Sequence, residues 1–131
     1  MPPESAPWIL AAAFFNVALA LFHALFWRIF GWPQTLGRSG PVNSGIAQVM
    51  NLALIFIFTV SGLICFLFPV DLAATSVGRF WLFSMAGFWL ARALLQPIFF
   101  SFDHWLSPTL LAVFLLGAIV HAGAWYGSSG L

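Results

Sequence analysis

An all-α fold, a polytopic membrane protein built as a four-transmembrane-helix antiparallel bundle, is predicted by three observations. The 131-residue chain is 63% hydrophobic and only 5% charged, against roughly 25% charged residues in a soluble domain. Its mean hydropathy is +1.04. Its apolar residues gather into four stretches of about 19 to 24 residues, each long enough to cross a bilayer core of roughly 30 Å as a helix. The connections are short, so residues 1–131 read as a single membrane-embedded domain with no room for a soluble one.

The first stretch, about Trp8–Phe30, reads as a retained helix rather than a signal peptide. It lacks a basic n-region, is too long, and ends in Arg28-Ile29-Phe30 instead of a small-residue cleavage site. A connection over 32–43 follows, punctuated by Pro33, Gly37, Gly40 and Pro41. The second helix, about Gly45–Phe68, is expected to be capped by Asn43 or Ser44. Phe68-Pro69 should close it, because the residue before a proline is pushed out of the α region. The third, about Arg79–Phe100, carries Pro97 inside it. The fourth, about Pro108–Tyr126, is expected to start with Ser107 as its cap and Pro108 at the first helical position. Gly127-Ser-Ser-Gly reads as a flexible tail.

Trp8, Trp32, Trp81, Trp105 and the pair Trp125–Tyr126 fall at helix ends, as an interfacial aromatic belt requires. Trp27 and Trp89 fall deeper and read as packing residues. Arg28 and Arg38 flank the first connection, whereas Arg79 stands alone on the side that holds both termini. Cytoplasmic loops carry the arginine excess, which places the 32–43 loop in the cytoplasm and both termini outside. All four basic residues are arginine, a pattern of GC-rich bacterial genomes, so a bacterial cytoplasmic (inner) membrane is expected.

The composition also narrows the chemistry. A net charge of +1 offers no basic patch for nucleic acid. Cys65 is the only cysteine, so there is no intramolecular disulfide, CxxC pair or covalent haem motif. No GxSxG, HExxH or SxxK pattern occurs, and no carboxylate lies within a span, which argues against proton-coupled export. Only His104 and Asp103 are adjacent ligand types, too few for a zinc site, and no metal is expected. His23 and His121 lie at different depths, which disfavours one haem held by both. The cofactor is left open.

Arg92 sits near the middle of the third stretch, where an arginine costs roughly 2.5 to 3.5 kcal/mol by insertion scales and therefore calls for a partner or a cavity. At about 1.5 Å per residue, His23, Gln48, Asn51, Gln96 and Arg92 fall in the same half of the membrane, roughly 6 to 14 Å from the loop side. Asp103 and His104 would stand at the mouth of such a pocket. Pro97 frees the carbonyl of Ala93 and adds an acceptor near Arg92. The competing reading is structural: Gln48 and Asn51 join helices, and Arg92 snorkels to Asp103.

The expected function is therefore a small integral membrane protein whose polar pocket binds an amphiphile with an anionic or quinone-like head. Arg92 and Gln96 would take the head, with His23, Gln48, Asn51, Asp103 and His104 around them. His23 is the candidate acid or base should the site be catalytic, since its pKa lies near neutrality. The alternative is a non-catalytic accessory or scaffold subunit, with a membrane protein partner or a homo-oligomer answering Arg92. An anion channel or carrier, or a haem protein, is less favoured. Membrane lipids are partners in every case.

Overall fold

The computed structural model describes residues 4–129. Among them the chain is helical throughout: α1 (Ala6–Ala24), α2 (Phe26–Ile29), a 3-10 turn (Thr35–Ser39), α3 (Pro41–Leu67), α4 (Pro69–Ala74), α5 (Ser76–Phe99) and α6 (Leu106–Ser128). Four of these, α1, α3, α5 and α6, are long and apolar enough to cross a membrane. The all-α, four-span class read from hydropathy is the one found.

The boundaries differ from the expected ones for local reasons. The first stretch is interrupted at Leu25, whose N–H is shared between the carbonyls of Leu21 and Phe22 at 3.1 Å each. Such sharing tightens a helix end toward 3-10 geometry. One further turn, α2, completes the stretch before Gly31, at φ 63°, reverses the chain. α3 starts earlier than expected, with Pro41 at its first position after Gly40 at φ 87°, and the Ser44 N–H bonds to the Gly40 carbonyl. Neither Asn43 nor Ser44 is its cap: the Asn43 amide donates back to the Ser39 carbonyl at 2.9 Å.

Phe68-Pro69 ends α3 as its sequence requires, with Phe68 at φ −127°, ψ 41°. The chain then forms α4, a short helix the hydropathy does not reveal. Thr75 is extended, and its hydroxyl accepts the Gly78 N–H at 3.0 Å, so α5 begins at Ser76 rather than Arg79. α6 runs through Ser128, which corrects the reading of Gly127-Ser-Ser as a loose tail; Gly127 and Ser128 are buried. Gly130 lies outside the described residues.

By its internal contacts the chain divides into two compact units, Met1–Ala12 with Cys65–Leu131, and Ala13–Ile64. In the first unit α5 and α6 form an antiparallel hairpin: Gln96 bonds to Ser107, Trp89 stacks on Phe114 at 5.9 Å, and Trp81 lies 6.4 Å from the His121 ring. Gly123 of α6 admits the Trp8 ring so closely that a Cβ there would come within 2.5 Å of it. Trp89 is 1% exposed, as a packing residue should be. In the second unit the lower part of α1 runs antiparallel to α3. A Cβ on Gly62 would meet Val17 at 2.8 Å, so a missing side chain sets this close approach.

Candidate functional site

The polar residues singled out by depth fall into two groups, one in each unit. In the second unit most of their bonds go to one another and to the backbone, with Asn51 Oδ1 left without a partner among the described residues. The Asn51 amide donates to the His23 carbonyl at 2.9 Å. That carbonyl belongs to the last turn of α1, where carbonyls have no partner within the helix, so Asn51 closes the end of α1 from α3. Trp27 Nε1 donates to Gln48 Oε1 at 3.0 Å, and Gln48 Nε2 reaches back to Ser44, at 3.3 Å to its carbonyl and 3.4 Å to its hydroxyl. His23 Nδ1 is 2.8 Å from the Leu19 carbonyl one turn earlier. Its ring stacks on Phe26 at 4.6 Å and meets Phe58 edge-on at 5.1 Å. This is the pattern of interhelical hydrogen bonds that hold membrane helices together.

Of the two groups, the one in the first unit holds the charged side chain, Arg92. Arg92 Cζ lies 4.2 Å above the Phe114 ring and 5.5 Å from the Phe100 ring, both within cation–π range. Among the described residues it makes no hydrogen bond or ion pair, so the pairing with Asp103 weighed from the sequence does not form. Asp103 is engaged elsewhere, with the Ser101 hydroxyl, within the turn that joins α5 to α6. One turn beyond Arg92, Gln96 is fully buried. Its Nε2 donates to Ser107 Oγ at 3.0 Å, while its Oε1 has no partner among the described residues. Pro97 does lie inside α5, as the sequence indicates.

Two roles at this end were not legible. Ser107 is not the cap of α6 but the acceptor for Gln96, since α6 begins one residue before it. Trp105 holds the cap position without a side-chain bond, and from one residue further out His104 Nδ1 accepts the Leu106 N–H at 3.2 Å. A histidine three residues before a serine–proline pair carries no recognised capping signal, so the sequence points to Ser107 instead.

The arrangement can do one thing chemically that its neighbours do not satisfy. Stacking over two phenylalanines offsets part of the cost of the guanidinium charge, but an aromatic face accepts none of its five N–H donors in a directed bond. An oxygen-bearing group would complete it. No group of three or more histidine, cysteine, aspartate or glutamate side chains able to hold a metal occurs among the described residues.

No family model matches this chain, and neither a curated protein nor a solved structure matches it.

Proposed function

We propose that the chain is an integral membrane protein that binds, at Arg92, an amphiphile whose head is anionic or rich in acceptor oxygens. The observation that carries this is the Arg92 guanidinium within a membrane-spanning helix, stacked on Phe114 at 4.2 Å and unanswered by any carboxylate among the described residues. Arginine presents a planar fork suited to a carboxylate, phosphate or quinone oxygen, and the phenylalanines beside it suit an apolar tail. In this reading the membrane is the bacterial cytoplasmic (inner) membrane, with the 32–43 loop inside and both termini outside.

Native mass spectrometry of wild type, Arg92→Ala and Arg92→Lys, purified in mild detergent, tests it. An amphiphile carried by wild type, lost from the alanine variant and weakened in the lysine variant supports the site. A membrane protein lost with Arg92 replaces this reading with the accessory-subunit one. Bare, folded protein in all three makes Arg92 structural.

A further inference from the structure

The second unit contains no aspartate or glutamate at all: between Glu4 and Asp71 the chain has Arg28 and Arg38 and no acidic residue. Both arginines stand in the connection between α1 and α3, which joins two membrane-spanning helices and so lies where hydrocarbon gives way to headgroups. Within this unit the positive charge has no counter-ion, which leaves it open to an anion from outside the unit.

The connection also has a shaped surface. A hollow of about 300 Å³ is lined by Gln34, Thr35 and Arg38, at the small end of the range for ligand sites, roughly 300 to 1,000 Å³. Two of the three walls are fixed by the loop itself. The Thr35 hydroxyl donates to the Phe30 carbonyl at 2.7 Å, and the Gln34 amide, with its nitrogen turned toward the loop, would reach the carbonyls of Gly31 at 3.1 Å and Trp32 at 3.2 Å. Arg38 is exposed and bonds to nothing among the described residues through its side chain. A small hollow with one uncommitted guanidinium suits a single compact phosphate. Trp32, on the same loop, suits the headgroup level at which such a phosphate is presented.

From this geometry we infer that the Gln34–Thr35–Arg38 hollow seats the phosphodiester headgroup of an anionic phospholipid, a site separate from Arg92 and independent of it. The charge complementarity is one-sided, because a zwitterionic headgroup returns a cation to a unit that already carries two. The lipid is held by its phosphate, with its chains in the surrounding bilayer.

The experiment is lipid retention by native mass spectrometry from mixed micelles of phosphatidylglycerol and phosphatidylcholine. Wild type is expected to retain phosphatidylglycerol preferentially. Arg38→Gln should lower that retention about fivefold, the factor that roughly 1 kcal/mol per arginine near an anionic surface represents. Arg38→Lys, which keeps the charge, should retain most of it, and Arg79→Gln in the other unit should change nothing. Equal retention by wild type and Arg38→Gln, with both folded by circular dichroism, overturns the proposal. So does displacement of the lipid by millimolar inorganic phosphate, which would make the site one for free phosphate. If Arg38→Gln does not fold, loss of the preference in wild type at high salt supports the site, and a preference indifferent to salt overturns it.

Discussion

Gln96 donates its side-chain amide to the Ser107 hydroxyl at 3.0 Å, tying the last turn of α5 to the first turn of α6 across their connecting turn. The bond has a secondary branch to the Ser107 carbonyl at 3.5 Å, too long to replace the first. It lies in a buried position, so removing the acceptor alone leaves a donor stranded, whereas removing the amide takes the orphan Oε1 away with it.

Ser107→Ala is therefore expected to destabilise the protein by about 0.6 to 1.7 kcal/mol, the range of such bonds between membrane helices. Gln96→Leu should cost less, despite removing the larger polar group. Unfolding in detergent measures both, and a Gln96→Leu variant weaker than Ser107→Ala would count against the bond as drawn.

Asn51 makes a second separable contact. Asn51→Leu removes the cap on the His23 carbonyl and is expected to cost about 0.6 kcal/mol, again by the membrane average. Hydrogen exchange should rise at the end of α1 and in α2 while α5 and α6 stay unchanged. Asn51→Asp keeps the shape but turns a donor into an acceptor facing a carbonyl, in a buried site 3% exposed. It should be the more damaging, by up to the roughly 3 kcal/mol an intramembrane aspartate costs.

The corner between α4 and α5 depends on Gly78 and Thr75. A Cβ on Gly78 would fall 2.6 Å from the carbonyl oxygens of Asp71 and Leu72, which are backbone and cannot swing aside. Gly78→Ala should destabilise by about 1 to 3 kcal/mol, as overpacking does. Thr75→Ala, which removes the cap, should cost about 1 kcal/mol, and Thr75→Ser little. Thermal unfolding that leaves Gly78→Ala as stable as wild type would show that this corner is not tightly packed.

The span count was legible because it rests on length and hydropathy alone, which the bilayer enforces residue by residue. Phe68-Pro69 was legible because proline's restriction acts on its immediate neighbour. Ser107 and His104 were not, since α6 begins at Leu106, one residue ahead of the serine, and the bond Ser107 accepts comes from a tertiary partner, Gln96, that leaves no local signal. α4 was hidden because a six-residue helix leaves no hydropathy signature between two long apolar stretches. For the candidate site, depth along antiparallel helices put His23, Gln48 and Asn51 in one half of the membrane, yet depth carries no information about what each side chain bonds. Trp27, Ser44 and the His23 carbonyl take those bonds locally. Phe114 and Phe100 were invisible as partners of Arg92, because aromatic residues are common in every span.

Those two rings give the last prediction. Arg92 lies 4.2 Å from the Phe114 ring and 5.5 Å from Phe100, and cation–π attraction is estimated at about 0.5–1 kcal/mol in exposed sites and about 2 kcal/mol or more when desolvated. Phe114→Leu alone is uninformative, because it also removes the stack on Trp89. A double-mutant cycle of Arg92→Met with Phe114→Leu cancels that loss and isolates the pair. The coupling should be about 1 to 2 kcal/mol for Phe114, in line with the desolvated range, and clearly smaller for the matching cycle with Phe100→Leu. Added amphiphile should leave the Phe114 coupling in place, since a head bound at the guanidinium edge does not compete for its face. A Phe114 coupling near zero would mean the guanidinium leaves the ring in solution, and the oriented donor fork on which binding at Arg92 depends would go with it.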